Sequence, residues 1–276
     1  MIKGLDVSSY QGTIDFGKVK RAGYDFVIVR AGWGRTNVDS RFNYNVREAL
    51  RNGLKVGAYW FIYAKTKDDI KGNVRKAHSV LNNFKDSLEM GVYADWEYDS
   101  DKYRPKLTNH ERSLFVKQFI DEMSAVGYKM GLYANPDYIN NKFEMNMFKG
   151  LPLWLAFYGT TEANAKKYNP TIWQFSSKER VDGINGNVDG NYFYGEVNVK
   201  PIETPVVVSN DKYAIVNTKK DPLNVRKGAG TKYAILTSIP KGSKIKIIDN
   251  TTNKTWYKIE YKGIVGWCSK TYLKEC

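Results

Sequence analysis

The sequence is poor in the side chains on which most metal sites and nucleophilic hydrolases depend. Its 276 residues include two histidines, His78 and His110, and two cysteines, Cys268 and Cys276. A zinc site takes three or four ligands, mostly from these residue types, and a serine or cysteine hydrolase needs a histidine base. The composition therefore argues against amidase and endopeptidase chemistry, and we expect neither a metal site nor a cofactor.

Long apolar runs are also missing. The longest, VGAYWFIYA at residues 56–64, is far shorter than the ~18 residues that span a bilayer. The N-terminal sequence MIKGLDVSSYQG lacks the apolar segment of a secretory signal. We therefore expect no membrane insertion and no export by that route. Cys268 and Cys276 are either free thiols, as in a reducing cytoplasm, or close a small terminal loop.

Positive charge exceeds negative charge. The 43 Lys and Arg residues outnumber the 29 Asp and Glu residues, which gives a net charge of +14. Such a surface attracts polyanions in a salt-dependent way, and nucleic acid and anionic cell-wall polymers are two such partners. The lysines of the C-terminal part are scattered one or two per predicted strand or turn, so we expect no nucleic-acid site.

The first 200 residues alternate short strand-like apolar runs with amphipathic segments. Apolar residues recur at helical spacing in residues 42–50, 70–84 and 114–126, and Thr108 with Glu111 predicts a capping box for the third helix. The alternation predicts an α/β fold with a largely parallel sheet. Seven or eight strands with fewer helices indicate a modified (β/α) TIM-like barrel, whose active site lies at the C-terminal ends of the strands. The predicted strands are IKGLDVS, DFVIVRAG, LKVGAYWFIY, GVYADWE, YKMGLYA, PLWLAFY and TIWQF.

A change of pattern divides the chain. The segment KPIETPVVVSN contains two prolines and no helical period, which is typical of an extended linker. The sequence after it consists of short strands separated by turns such as KGAGTK and PKGSK, which predict a small all-β barrel. We therefore predict a catalytic barrel at residues 1–200, a linker at 201–210 and a small β domain at 211–276.

Four acidic residues are the candidate catalytic groups. Side chains alternate across a strand, so Asp95 and Glu97 in ADWEYD project to the same side, about 6–7 Å apart along the strand. Burial and like charge should raise the pKa of one of them, as general acid catalysis requires. Asp6 ends the first strand and Asp189 lies where a final strand should end, so both converge on the same barrel mouth. The alternative for Asp95 and Glu97 is an ordinary solvated strand end, and we interpret Asp39 as a turn or cap residue.

Aromatic side chains accompany these acids at several predicted strand ends. Rings suit the apolar faces of sugars, while carboxylates and amides suit sugar hydroxyls, so carbohydrate is a better candidate ligand than a nucleotide. The sequence has no phosphate-cradling motif, since residues 32–34 give only GWG. Any single ring has a simpler alternative as part of the core.

The motifs DVSSYQG, YADWE, LWLA, WQFSS and GINGNVDGN, in this order over residues 1–195, resemble the Chalaropsis-type lysozymes of glycoside hydrolase family 25. The resemblance implies a modified (β/α) barrel that cleaves the β-1,4 bond between N-acetylmuramic acid and N-acetylglucosamine in peptidoglycan. By position, Glu97 matches the family's general acid, Asp95 its neighbouring carboxylate, and Asp6 and Asp189 the supporting acids. The residues that match its sugar-binding cleft are Phe61, Tyr63, Tyr133, Trp154 and Gln174.

The C-terminal part, with LNVRKGAGTKYAILTSIPKGSKI and TWYKIEYKGIVGWC, resembles a bacterial Src-homology-3-like wall-binding domain. The resemblance makes Tyr233, Trp256, Tyr257 and Trp267 candidate cell-wall contacts, although the two tryptophans have an alternative role in the core. The two parts together resemble a phage endolysin of a Gram-positive host. Such an enzyme stays in the host cytoplasm until a holin releases it to the wall; export by another route is the alternative.

The sequence therefore predicts a muramidase that acts on Gram-positive peptidoglycan. Two other functions remain: a wall-binding protein without turnover, and a glycosidase with glucosaminidase or chitinase-type specificity. The stereochemistry is also open. If Asp95 activates water, the product is inverted; if the substrate's acetamido oxygen attacks while Asp95 orients it, configuration is retained.

Overall fold

The computed structural model describes residues 1–195, 212–249, 253, 255–261 and 264–275. The chain divides into two compact units, Met1–Glu196 and Val197–Cys276. The predicted linker at 201–210 and Cys276 lie outside the described residues. Cys268 is a free, buried thiol. No helix in the described part of the chain is long and apolar enough to cross a membrane.

The first unit is built on a closed barrel of eight strands. A short ninth strand, β3, pairs with the last two residues of β2. The strands are β1 (Ile2–Val7), β2 (Phe26–Trp33), β3 (Asn37–Val38), β4 (Lys55–Phe61), β5 (Val92–Asp95), β6 (Met130–Ala134), β7 (Leu153–Ala156), β8 (Ile172–Glu179) and β9 (Val188–Phe193). Neighbours are parallel from β1 through β2, β4, β5, β6 and β7 to β8. This confirms the predicted α/β barrel.

The last strand, β9, closes the barrel in the opposite direction. It pairs antiparallel with both β1 and β8, so the barrel departs from eight parallel strands at this one position. The consequence concerns Asp189, which we predicted near the end of a final strand. It is the second residue of β9, and because β9 is reversed, that start lies at the mouth where the parallel strands end.

Six α-helices surround the barrel: α1 (Phe16–Arg21), α2 (Phe42–Arg51), α3 (Lys67–Leu81), α4 (Tyr98–Tyr103), α5 (Asn109–Ala125) and α6 (Glu162–Lys166). The predicted capping box begins α5, where Thr108 Oγ1 accepts from the Glu111 backbone N–H and the Glu111 carboxylate accepts from that of Thr108. Most of the apolar residues predicted at helical spacing face a large core between helices and barrel, but Val126, at the end of the third predicted helix, is exposed.

A second, aromatic core fills the barrel interior. Trp154 is its centre, with the rings of Tyr59, Tyr93 and Tyr133 packed edge-on at centroid distances of 4.7–5.7 Å. Gly131 faces this cluster, and a Cβ there would lie 2.5 Å from the ring of Tyr93. The strand positions without side chains therefore make room for the large rings.

The second unit is an antiparallel sheet of seven strands in the order β12-β11-β15-β14-β13-β10-β16. The strands are β10 (Lys212–Val216), β11 (Leu223–Arg226), β12 (Ile235–Ile239), β13 (Lys244–Asp249), β14 (Trp256–Tyr261), β15 (Ile264–Ser269) and β16 (Leu273–Glu275). Alternate residues of these strands, such as Val225, Ile245 and Ile259, form a small separate core. This confirms the predicted all-β second domain.

Candidate active site

The four predicted acids meet at the barrel mouth through three strands. Asp95 is the last residue of β5, and Glu97 follows two residues later as the N-cap of α4. Asp6 lies near the end of β1 directly opposite Asp189 of β9 in the antiparallel register. The two carboxyl pairs lie near enough to interact. The charge of Asp6 raises the pKa of Asp95, and that of Asp189 raises the pKa of Glu97.

Asp95 and Glu97 form the first pair. Asp95 is 3 % exposed, whereas Glu97 is half-buried, and their carboxyl groups lie close enough for each to act on the pKa of the other. Burial raises the pKa of Asp95 well above its ordinary value, and the charge of Glu97 raises it further. Burial also raises the pKa of Glu97. Two carboxylates so close repel each other when both are ionised, so the pair keeps a proton to higher pH than an isolated carboxyl group does.

Asp6 and Asp189 form the second pair. Burial raises the pKa of Asp6 well above its ordinary value, and the charge of Asp189 acts in the same direction. Burial likewise raises the pKa of Asp189. Asp6 Oδ2 accepts two amide hydrogen bonds, from Gln174 Nε2 at 2.7 Å and from Asn191 Nδ2 at 2.8 Å. These neutral donors hold the Asp6 carboxyl in place without adding a positive charge.

Gln174 connects the acids to tyrosine hydroxyls. Its Oε1 accepts from the hydroxyl of Tyr133 at 3.0 Å and from that of Tyr158 at 2.6 Å. Gln174 is 2 % exposed and Tyr133 is 9 % exposed. They belong to the floor of the site, while Tyr158 is exposed at its surface. Of the predicted cleft residues, these two therefore order the acids and present little surface to a ligand.

The prediction for Trp154 is wrong. We predicted it in the sugar-binding cleft, but it is 1 % exposed and lies inside the barrel. Its indole Nε1 donates to Asn191 Oδ1 at 2.8 Å and its ring packs on Tyr133, so Trp154 supports the site from inside the barrel without facing a ligand. Phe61 and Tyr63, in contrast, are half-buried, and their tilted rings lie 5.0 Å apart between centroids. The charges of Asp95 and Glu97 reach Tyr63, which places this ring pair beside the acids.

An arginine in the site escaped the sequence analysis. Arg30, in the middle of β2, donates from Nε to Asp39 Oδ2 at 2.9 Å, and its charge opposes the rise in the pKa of Asp95. Its guanidinium lies against the rings of Tyr10 and Trp33, 4.8 and 5.1 Å from their centroids. The signal was a single charged residue within the apolar strand FVIVRAGW.

Asp39 is more than the turn residue that we predicted. It is 2 % exposed, and besides Arg30 it accepts from the backbone N–H groups of Ser9 and Arg41 at 3.0 and 2.9 Å. A buried carboxylate with a paired arginine and two backbone donors is well satisfied. Asp39 thereby fastens the loop that follows β1 to the second strand of the barrel.

The candidate wall contacts of the second unit divide into two groups. Tyr257 is 3 % exposed and belongs to the small core, so the prediction that it touches the wall is wrong. Tyr233 is 41 % exposed, and Trp256 and Trp267 are half-buried. Trp256 lines a cavity of about 630 Å³ that also includes Tyr272 and Arg226.

Among the described residues, no group of three or more histidine, cysteine, aspartate and glutamate side chains is arranged to hold a metal ion. The acids are instead held by each other and by the amides of Gln174 and Asn191, and the charge of Arg30 acts on Asp95. Their arrangement suits transfer of a proton to a bound substrate and stabilisation of nearby positive charge.

Comparison with known families agrees with this geometry. The family model for glycosyl hydrolases family 25 matches residues 5–184. The chain belongs to glycosyl hydrolase family 25. A second model, for bacterial SH3 domains, matches residues 221–274, which fits the all-β unit. The predicted resemblances are thus confirmed for both parts of the chain.

Relatives of the family-25 part include lysozymes from two bacteria. An autolytic lysozyme of Clostridium acetobutylicum is 27 % identical over 192 residues, which are 70 % of this chain and 56 % of that protein. Lysozyme M1 of Streptomyces globisporus is 26 % identical over 204 residues, with coverage of 70 % and 68 %. The chain thus spans little more than half of the clostridial relative.

A solved structure has the same fold. The modular autolysin LytC of Streptococcus pneumoniae, in complex with a synthetic peptidoglycan ligand, superimposes with a TM-score of 0.62 at 25 % identity. The match covers 70 % of this chain and 46 % of that protein.

Proposed function

We propose that this family-25 glycosidase is a lysozyme that hydrolyses the β-1,4 bond between N-acetylmuramic acid and N-acetylglucosamine in peptidoglycan. The observation that carries the proposal is the contacting carboxyl pair Asp95 and Glu97 at a barrel mouth with exposed aromatic rings. The names of the relatives, and the peptidoglycan ligand bound by the pneumococcal autolysin, support peptidoglycan as the substrate.

Glu97 is the general acid in this mechanism. It is the less buried member of the pair, so its carboxyl is the one that reaches a glycosidic oxygen. Its raised pKa keeps a proton available at pH values where an ordinary glutamate has lost it. Proton donation to the leaving oxygen breaks the glycosidic bond as positive charge develops on the sugar.

Asp95 orients the acetamido group of the substrate. Inverting enzymes separate their two carboxyl groups by roughly 6.5–9.5 Å to admit a water molecule, whereas Asp95 and Glu97 are in contact. Both therefore lie on one side of the scissile bond. The acetamido oxygen then attacks the anomeric carbon while Asp95 accepts the amide N–H, and the bond to the leaving oxygen breaks as Glu97 protonates it. Water, deprotonated by Glu97, next opens the cyclic intermediate at the same carbon, so the product retains its configuration and Glu97 regains its proton. The 6–7 Å expected from strand geometry is a separation along the backbone, and the two side chains bring their carboxyl groups closer together than that.

Fragment analysis tests the reaction. Purified peptidoglycan is digested, reduced with borohydride and examined by mass spectrometry, with NMR of the first anomer formed. Reduced muramic acid ends and an early β-anomer are expected. Reduced glucosamine ends would reassign the bond to a glucosaminidase, an early α-anomer would reject substrate assistance, and bound protein without new ends would favour a wall-binding protein without turnover.

We also propose that the SH3 unit holds the enzyme on a Gram-positive wall and that the protein is a phage endolysin. The bacterial SH3 match and the net charge of +14, which favours anionic wall polymers, support this role. Expression in a Gram-positive host with and without a holin tests the endolysin proposal. Lysis that requires the holin is expected, and lysis without it would favour export by another route.

A further inference from the structure

We propose that Asp101, a half-buried carboxylate outside the acid cluster, is a positioning residue that fixes the location of Glu97 through Trp96 and α4. The inference rests on the proposed function of Glu97 as general acid. It concerns contacts on either side of Glu97 in the chain.

Asp101 accepts hydrogen bonds from three side chains that come from three parts of the unit. Oδ1 accepts from Trp96 Nε1 at 2.9 Å and from Arg112 Nε at 2.7 Å, while Oδ2 accepts from the hydroxyl of Tyr138 at 2.8 Å. Burial opposes ionisation, but these three donors outweigh it and lower the pKa of Asp101. The pKa of Asp101 is thus shifted in the opposite direction to those of the neighbouring acid pairs, which favours its anionic form.

The contacts of Asp101 enclose Glu97 on both sides. Trp96, immediately before Glu97, is fully buried and has its indole N–H on Asp101. After Glu97, the backbone N–H of Asp101 donates to the Glu97 carbonyl oxygen at 3.1 Å, which forms the first turn of α4. Rotation of the Glu97 backbone would therefore break a bond to Asp101 on one side or the other.

Arg112 anchors this arrangement to the rest of the barrel. Its side chain is 7 % exposed, and its Nη1 donates to Asn109 Oδ1 at 3.0 Å and to the Lys142 carbonyl oxygen at 3.1 Å. The cation thus joins α5 to the segment after β6 and presents its Nε to Asp101. Each donor has a defined partner, which gives Asp101 a single well-determined position.

This support matters because Glu97 is the second residue after β5 and not part of that strand. The carboxyl must reach the glycosidic oxygen, and a displacement of about 1 Å costs up to about 100-fold in rate. Asp101 supplies the rigidity that β5, which ends at Asp95, no longer gives two residues later.

Asp101→Asn tests the inference on soluble glycan strands of alternating N-acetylmuramic acid and N-acetylglucosamine. The variant keeps the volume but loses the charge and one acceptor oxygen. We expect kcat to fall about 10- to 100-fold with KM changed less than threefold, and the alkaline limb of the kcat profile to move because the contact between Glu97 and Asp95 changes. Asp121→Asn, which removes an exposed ion pair with Lys117 on α5, is the matched control and should behave as wild type.

A double-mutant cycle with Trp96→Phe identifies the route. The phenylalanine keeps a ring in the core but has no N–H, so the double variant should lose no more activity than Asp101→Asn alone. Circular dichroism and titration of active sites correct each rate for folded protein.

If the wild-type protein is active, any of three results would overturn the inference. These are a kcat of Asp101→Asn within twofold of wild type after correction for folded protein, an unchanged pH profile of kcat, or losses of activity that add up in the double variant. Inactivity of the wild-type protein on these strands would instead reject the proposed function.

Discussion

Replacement of Glu97 by glutamine removes the catalytic proton and little else. Glutamine has the volume of glutamate, and its amide can hydrogen-bond to the Asp95 carboxyl group in either protonation state, so the contact between the two side chains persists. Asp95 cannot take over as acid, because it is 3 % exposed and lies deeper in the barrel. We therefore expect the full loss typical of a general acid, about 10²- to 10⁴-fold in kcat, or roughly 3–5 kcal/mol in activation free energy.

The assay measures new reducing ends from soluble glycan strands, and a parallel sedimentation assay measures binding to purified walls. Glu162→Gln, an exposed position on α6 paired with Lys166, is the control for the same chemical change. Wall binding should be unaffected in both variants, since the SH3 unit is intact. Activity of Glu97→Gln within about tenfold of wild type would refute the role of Glu97 as general acid.

Three further predictions concern stability and wall binding. Asp95→Asn should abolish activity and raise Tm, by an amount that grows with pH. The native pKa of Asp95 is raised above its unfolded value of about 3.8, so the wild-type protein has its full stability below that pH and loses stability as the pH rises toward the native pKa. A Tm difference between variant and wild type that stays constant from pH 4 to 8 would contradict this. Gln174→Met leaves two tyrosine hydroxyls without their acceptor and should cost about 1–3 kcal/mol in urea unfolding, whereas Gln118→Met at a less buried position should cost much less. Trp256→Ala should weaken co-sedimentation with walls without lowering Tm, whereas Tyr257→Ala should lower the unfolding free energy of the SH3 unit by about 3–5 kcal/mol. The reverse pattern would make Trp256 the core residue and Tyr257 the wall contact.

The order of strands and helices was predictable because each element is determined by residues that are close together in the sequence. Runs such as FVIVRAGW and the capping residues Thr108 and Glu111 give the elements of the barrel directly. The direction of β9 is not local. It depends on pairing with β1, far away in sequence, so Asp189 was placed at the correct mouth but at the wrong end of its strand.

Burial of the aromatic residues was harder to predict in the barrel than in the SH3 unit. Both faces of a barrel strand are covered, one by helices and one by the interior, so alternation cannot show that Trp154 points inward. In β14 the alternation was informative. Tyr257 shares a face with Ile259, while Lys258 lies between them on the other face, and this pattern already assigns Tyr257 to the core.

The indole of Trp154 makes the acid site and the barrel interior parts of one cooperative structure. Its ring is enclosed by three tyrosines, and its N–H reaches Asp6 through Asn191. An enzyme whose catalytic groups sit on independent loops loses activity by local fraying below its melting temperature. Here heat inactivation and global unfolding should coincide, so improved packing around Trp154 would raise the upper working temperature of the enzyme degree for degree with its Tm.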